Sequence, residues 1–306
     1  MEFCNWRDFK SIDDLVRLKT EQGVTIGVAL PVCNEEKTIG KTIEVVRSCG
    51  SLIDQVIGLD SASHDESALI CRQYDVPFFE DAETAKEMNV ALERGKGWNL
   101  WSSLYHLNTD IILWLDSDIQ NIDQRFILGL AGPLLQDPRI DFVKGCYTRP
   151  KGDARVTELM ARPLISLLFP ELKDFVQPLS GEYGGRRRIL EQMKFYSGYS
   201  VEMALLIQVV LTLPHDKISQ VYLGERIHKL QDIPSLGKMS ANILFTVIEI
   251  AHQLGRIGSL PKSDRLLRQY DSADGHEFKN VDIGIIDKIL PPIATIPKYI
   301  EKMSSK

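Results

Sequence analysis

Asp110-Ile-Ile-Leu-Trp-Leu-Asp-Ser-Asp118, DIILWLDSD, is the stretch whose reading decides the fold. Five apolar residues, Ile111 to Leu115, run without alternation and end in Asp116-Ser117-Asp118. Asn121 and Asp123 follow, so the run is too short for a helix and reads as a strand buried on both faces. Such strands belong to parallel sheets with helices on both sides. Ligands bind at the carboxyl ends of those strands, and Asp116 and Asp118 fall at that end. Two carboxylates around a small serine offer hard oxygen ligands to Mg²⁺ or Mn²⁺. Alone, the pattern also fits a strand closing in a capped turn.

Outward from that strand, the elements alternate. Val24 to Leu30 reads as a first strand that stops at Pro31, and PVCNEEKTIGKTI follows, with Asn34 as helix cap. Gln55 to Asp60 is a second strand ending in Asp60-Ser61, and Ser63 or Asp65 suits the next helix start. Val76 to Phe79 is a short third strand. Strand–helix–strand units at this spacing predict a right-handed, mostly parallel sheet. Pro31 to Glu35, at the first strand's carboxyl end, are candidate base and ribose contacts. Arg94-Gly95-Lys96-Gly97 precedes a helix and lets Lys96 approach a phosphate; as a lone signal it also fits a solvated loop. A further helix covers Phe126 to Leu135, and a strand Ile140 to Gly145. Beyond Pro150 the composition shifts. An apolar helix enters at Arg155 to Leu159, and Gln177 to Gly185 reads as a shaped loop. Arg186, Arg187 and Arg188 read as a solvated helix start. Val201 to Leu213 is an apolar helix, Ile218 to Leu223 a strand, and Leu236 to Ile257 an amphipathic helix. His228, just past a strand end, suits either a metal or a surface hydrogen bond. The tail from Asp282 has no assignable pattern.

The 306 residues carry a formal charge of −6, which argues against nucleic acid and anionic membrane as partners. The N-terminus has no signal-peptide core, the longest apolar run contains Glu202 and Gln208, and five scattered cysteines form no paired spacing. Together these suggest a cytoplasmic protein with reduced thiols. No G-x-G-x-x-G follows the first strand, which disfavours a dinucleotide-binding dehydrogenase.

Taken in order, VALPVCNEEKTI, IGLDSASHDES, RGKGWNLWSSL, WLDSDIQN, and RVTELMARPL with QPLSGEYGGRR and GYSVEMALLI resemble the retaining nucleotide-sugar transferases of GT-A type. Within these they are similar to the glucosyl-3-phosphoglycerate synthase family, over about residues 24–230. The resemblance implies an α/β fold: a GT-A, Rossmann-like nucleotide-binding half over residues 1–150, continuous with a smaller acceptor-binding half over 151–306. It implies transfer of glucose from UDP-glucose, or GDP- or ADP-glucose, to 3-phosphoglycerate with Mg²⁺ or Mn²⁺, by a homodimer. It also implies roles. Pro31, Val32, Cys33, Glu35, Asp60 and Ser61 would hold the nucleoside, and Lys96 would meet the donor's phosphate. Asp118 and His228 would bind the metal, with Ser117 between the aspartates on the donor side. Asp116 would lie beside the donor sugar. Ala154, Arg155 and Thr157 would grip the acceptor. Leu179 and Ser180 would line the reaction centre, and Tyr199, Glu202 and Arg226 would complete the donor pocket. After His228 the chain reads Lys229-Leu230-Gln231 where the family pattern has asparagine and arginine. A mannosyl transferase on the same fold is the neighbouring alternative, and a silent nucleotide-sugar-binding scaffold the alternative from another class.

Overall fold

The computed structural model describes residues 1–150, 154–228, 231–260, 262–271, 279–285 and 287–305. Strands are β1 (Glu2–Asn5), β2 (Ile26–Val32), β3 (Gln55–Asp60), β4 (Phe78–Glu80), β5 (Ile111–Trp114), β6 (Phe142–Thr148), β7 (Tyr183–Arg186), β8 (Phe195–Tyr196), β9 (Ile218–Glu225), β10 (Leu266–Asp271), β11 (Lys279–Gly284) and β12 (Ile289–Leu290). Helices are α1 (Ile12–Gln22), α2 (Ile39–Ser48), α3 (Ser67–Gln73), α4 (Asp81–Met88), α5 (Lys96–His106), α6 (Gln124–Gln136), α7 (Arg162–Leu168), α8 (Arg187–Leu190), α9 (Val201–Thr212), α10 (Ile233–Gln253) and α11 (Pro297–Ser304).

Eight strands form one sheet in the order β1-β9-β6-β7-β5-β2-β3-β4. All neighbours are parallel except β7, which runs antiparallel between β5 and β6. The expectation of a mostly parallel α/β sheet therefore holds. Ile111 to Leu115 are fully buried, and their alternation divides the core. Ile111, Leu113 and Leu115 join Leu15, Ile43 and Phe126 from α1, α2 and α6. Ile112 and Trp114 join Trp98 and Leu104 of α5, Leu206 of α9 and Val247 of α10 on the other face. Each such side chain withdrawn from water contributes about 1.5–3 kcal/mol, so the quoted stretch anchors both layers.

The structure corrects several local readings. β2 does not stop at Pro31 but continues to Val32, because Pro31 points toward β5 beyond the last β2–β5 pair, Ala29 with Trp114. No ladder donor is missing there. Asn34 is not a helix cap: it adopts φ 60° and accepts from His64 N (2.8 Å), while α2 starts four residues after Glu35, at Ile39. The third strand lies later than expected, at Phe78–Glu80.

Arg186 and Arg187 are buried scaffold, not a solvated helix start. Arg186 donates to the carbonyls of Ile140 (2.9 Å) and Leu134 (2.8 Å). Arg187 donates to the carbonyls of Thr109, Leu104 and Leu107 at the end of α5. Helix carbonyls without intrahelical partners draw buried cations in this way. Only Arg188 keeps a largely exposed side chain, paired with Asp141. The tail from Asp282, without an assignable pattern, contributes the end of β11, β12 and α11, and β12 pairs with β8. Among the described residues no helix is long and apolar enough to cross a membrane. All five cysteines are free.

Candidate active site

The parallel strands bring their carboxyl ends to one edge of the sheet. β2 delivers Pro31, Val32, Cys33 and Glu35, β3 Asp60 and Ser61, β5 Asp116 to Asp118, β6 Tyr147 and Arg149, and β9 Arg226 and His228. Because β7 is antiparallel, its amino end faces the same edge, and residues 177–182 enter beside Asp116. Gly181 makes that approach feasible, since a Cβ there would fall on the Asp116 carboxylate. Together these residues line a cleft of about 1360 Å³ including its open mouth.

Every sequence-derived candidate reaches the cleft wall except Asp60 and Ser180. Asp60, buried beneath, accepts from Ser63 N (3.1 Å) and shapes the turn after β3. Ser180 is fully buried, and its hydroxyl donates to Gly145 O (2.6 Å). Ser117 Oγ donates to Pro31 O (2.8 Å) and fastens β5 to β2. Of the residues after His228, Gln231 lines the cleft. Lys229 and Leu230 lie outside the described residues.

Charge is concentrated at the centre. Lys96 Nζ lies 2.5 Å from Asp116 Oδ1 and 2.6 Å from Glu202 Oε1. Arg226 Nη2 lies 3.1 Å from Asp116 Oδ2 and 2.8 Å from Asp118 Oδ1, and its Nε donates to Glu182 Oε1 (2.9 Å). Burial opposes the charge on Lys96, yet Asp116 and Glu202 outweigh it and hold the ammonium protonated well above its usual range. Burial likewise acts against ionised Asp116, but Lys96 and Arg226 keep it below the usual carboxylate range. Asp118 is pushed up, by burial first, against the pull of Arg226, and then by Asp116. Glu35 is pushed up to about 7 by burial and by the Asp118 charge. Glu202 is pushed up by burial. Carboxylates thus outnumber their cations here, which favours an incoming positive charge.

Further basic groups line the same cleft. Arg155 and Thr157 come from the helical segment after Pro150, and Thr157 opens a π turn, Thr157–Ala161. Such turns re-aim side chains within a helix and recur at functional sites. Arg155 Nη2 donates to Gln231 O (3.3 Å). Arg155 Nε, Arg149 Nε and Ser61 Oγ are buried and have no hydrogen-bond partner among the described residues. Unsatisfied donors of this kind are costly unless a ligand takes them.

Sequence reasoning missed Arg149, Tyr147, Asn99 and Glu182. Arg149 Nη2 donates to Tyr147 Oη (2.9 Å), and Asn99 Nδ2 to Leu59 O (2.8 Å). It also missed Lys144, fully buried below the cleft, which donates to Ser180 O (2.8 Å) and whose ammonium burial pushes down to about 7. A lysine inside an otherwise apolar strand, FVKG, was the available signal.

A metal fits this donor set as a shared ligand. Among the described residues no three His, Cys, Asp or Glu are grouped to hold an ion by themselves. Asp118 and His228 both face the cleft, and the bridge between Ile119 and His228 sets them side by side. Mg²⁺ is commonly held by one or two protein groups with substrate phosphates supplying the rest.

The family model described as glycosyl transferase family 2 matches residues 27–198. Glucosyl-3-phosphoglycerate synthase of Petrotoga mobilis is 42% identical over 97% of this chain and 95% of its own. That of Mycolicibacterium smegmatis is 37% identical over 90% of each. Among solved structures, mannosyl-3-phosphoglycerate synthase of Rubrobacter xylanophilus superposes with TM-score 0.90 at 30% identity, covering 96% of this chain and 97% of that one. Glucosyl-3-phosphoglycerate synthase of Mycobacterium tuberculosis, in complex with Mn²⁺, UDP-glucose and phosphoglyceric acid, superposes with TM-score 0.84 at 34% identity, covering 96% and 98%. With near-complete coverage on both sides and the glucosyl relatives ahead in identity, the chain belongs to glycosyl transferase family 2 and, within it, to the glucosyl-3-phosphoglycerate synthases.

Proposed function

We propose that this protein is a metal-dependent, retaining glucosyltransferase that moves glucose from UDP-glucose to 3-phosphoglycerate. The observation that carries the reading is one cleft lined both by the Asp116–Lys96–Glu202–Arg226 cluster and by Arg149, Arg155 and Thr157. The first suits a sugar diphosphate with its cation, the second a doubly anionic acceptor. Mn²⁺, UDP-glucose and phosphoglyceric acid, bound in the M. tuberculosis relative, have the same chemistry.

In this reading Pro31 to Cys33, Glu35 and Ser61 line the nucleoside pocket, with Asp60 shaping it from beneath. Ser117 and Tyr199 adjoin the donor. Asp118 and His228 would hold the divalent ion, whose charge offsets that developing on the leaving diphosphate. Lys96 and Arg226 are preorganised beside the same oxygens and need no reorganisation when charge develops. Arg155, with Ala154 and Thr157, orients the acceptor, since a planar guanidinium matches carboxylate and phosphate. Leu179 and Ser180 form the floor under the reacting atoms. The acceptor's one free hydroxyl attacks the anomeric carbon as the bond to the diphosphate breaks, and its proton passes to a diphosphate oxygen on that same face. Glu202 is committed to Lys96 and buried, so we assign it to positioning and not to nucleophilic attack. Capture of a glycosyl ester on Glu202 would overturn this.

The halves then divide the work: residues 1–150 take most of the nucleotide sugar, and 151–306 the acceptor while lending Tyr199, Glu202, Arg226 and His228 to the donor. A homodimer in the cytoplasm completes the proposal, and light scattering on the purified protein tests the dimer.

The deciding experiment supplies UDP-glucose and 3-phosphoglycerate with Mg²⁺ or Mn²⁺, beside GDP-, ADP- and mannose donors, with Asp118→Ala as control. Glucosyl-3-phosphoglycerate, absent in the variant, is expected. Transfer of mannose in preference to glucose would move the assignment to the neighbouring alternative. Nucleotide binding without transfer to any acceptor would move it to a scaffold.

A further inference from the structure

We propose that Asp287, in the C-terminal segment and outside the cleft, is a positioning residue for the donor side of the site, acting through Ser200 on Tyr199 and Glu202. The proposal rests on the donor-pocket reading of those two residues.

Three segments stack. On the outside, β12 pairs antiparallel with β8, Ile289 with Tyr196 and Leu290 with Phe195. Ser197 N donates to Lys288 O (2.9 Å), and Lys288 N donates to Ser197 Oγ (3.0 Å). Asp287 continues this register. Its Oδ2 accepts from Ser200 N (3.3 Å) and from the Ser200 hydroxyl. On the inside, the same loop lies against the turn that carries Lys96. Trp98 N donates to Ser197 O (3.0 Å). A Cβ on Gly95 would stand 2.8 Å from Ser197 O, and one on Gly97 would collide with Tyr196 O. The glycines of the Gly-Lys-Gly turn therefore serve a close backbone approach as well as access to a phosphate.

Residues 195–200 are thus held between the C-terminal segment and the Lys96 turn. The loop carries Tyr199, which lines the cleft, and Ser200, the first residue before α9. Glu202 follows in the first turn of α9, with its carboxylate on Lys96. Ser200 itself makes no side-chain cap to its own helix. The half-buried carboxylate of Asp287 instead accepts from Ser200's own N–H and hydroxyl, which places a negative charge near the positive end of α9. Gly198 leaves it room, because a Cβ there would meet the Asp287 carboxylate. Asp287 touches neither cleft nor substrate, and its effect runs through the origin of the helix that sets Glu202.

The test is steady-state kinetics on Asp287→Ala, Asp287→Asn and Gly198→Ala in the full chain, with calorimetric UDP–Mn²⁺ binding and thermal unfolding. Asp287→Ala is expected to lower kcat/KM for UDP-glucose by on the order of 10- to 100-fold, since a small misplacement costs that much, while acceptor KM stays within about twofold. Asp287→Asn recovers part of the loss, because its amide oxygen still accepts from Ser200. Gly198→Ala opens the same contact from the other side and reproduces the Asp287→Ala pattern. Wild-type donor kinetics in Asp287→Ala and Gly198→Ala overturn the proposal. So does an equal loss for donor and acceptor that tracks a fall in melting temperature, which marks a structural role alone. Tyr199→Ala and Glu202→Gln run alongside: if neither alters donor kinetics or UDP binding, the donor-pocket reading itself fails.

Discussion

Arg226 Nη2 stands 2.8 Å from Asp118 Oδ1, and the same guanidinium reaches Asp116 and the fully buried Glu182. One cation therefore holds three carboxylates together in the site that the proposed function gives to a metal. Arg226→Ala leaves those charges unmatched. Removing one partner of such a buried set typically costs about 3–5 kcal/mol. We expect a lowered melting temperature, and a larger rise on adding Mn²⁺ than in the wild type, because the ion replaces the missing charge. Unfolding scans with and without Mn²⁺ check this, and equal shifts in both proteins contradict it.

Arg155 lines the cleft from a helical segment, and the proposed function gives it the acceptor. Replacing it with alanine removes a charged hydrogen-bonding group, typically about 1.5–3 kcal/mol, or roughly 10- to 100-fold. The loss is expected in KM for 3-phosphoglycerate, with UDP affinity unchanged. Initial-rate measurements with each substrate varied in turn decide it. An effect on UDP binding alone would place Arg155 with the donor.

Gly181 has ordinary backbone angles, so its replacement tests space and not strain. The alanine Cβ in Gly181→Ala falls on the Asp116 carboxylate. Displacing a preorganised charge is expected to lower kcat by on the order of 10²-fold. Kinetics beside a melting curve check this, and the prediction fails if kcat is kept.

His106 stacks on Phe79, with ring centroids 3.7 Å apart, and its Nε2 is 2.9 Å from Thr84 Oγ1. Burial, aided by Lys302, lowers its pKa to about 3. Between that value and the ordinary histidine pKa of about 6.5, the unfolded chain binds a proton that the folded one does not. Stability is therefore lost as pH falls through about 6.5 and on toward about 3, by a few kcal/mol in all. Urea unfolding across pH should show a shallower acid limb for His106→Gln than for the wild type. Parallel limbs would contradict the assignment.

Much of the fold was legible because hydrophobic pattern acts locally. Ile111 to Leu115 are apolar without alternation, which only a strand covered on both faces tolerates, and the structure buries every one of them. The aspartates after them, and Asp60-Ser61 after β3, then fall at the binding edge by sheet geometry alone. β7 was not legible, since Tyr-Gly-Gly-Arg has no strand-like pattern. Its glycines are there because a Cβ on Gly184 would strike Ile112 O, and one on Gly185 would come within 2.6 Å of Asp141 O. That is a close approach between strands distant in sequence.

The sequence by itself determined the α/β class, the order of the binding segments and most residues of the cleft, because side-chain period and strand-end position follow from neighbours along the chain. Only the tertiary structure decided how charge is matched. It gave Arg187 to the carbonyls ending α5 and Arg226 to three carboxylates, although both are arginines in polar stretches. It put Arg149 on the cleft lining and Lys144 against the Ser180 carbonyl. It also brought Asp287 onto Ser200 from 87 residues away. Ion pairing and desolvation depend on which groups meet across the folded chain, and no local pattern records that meeting.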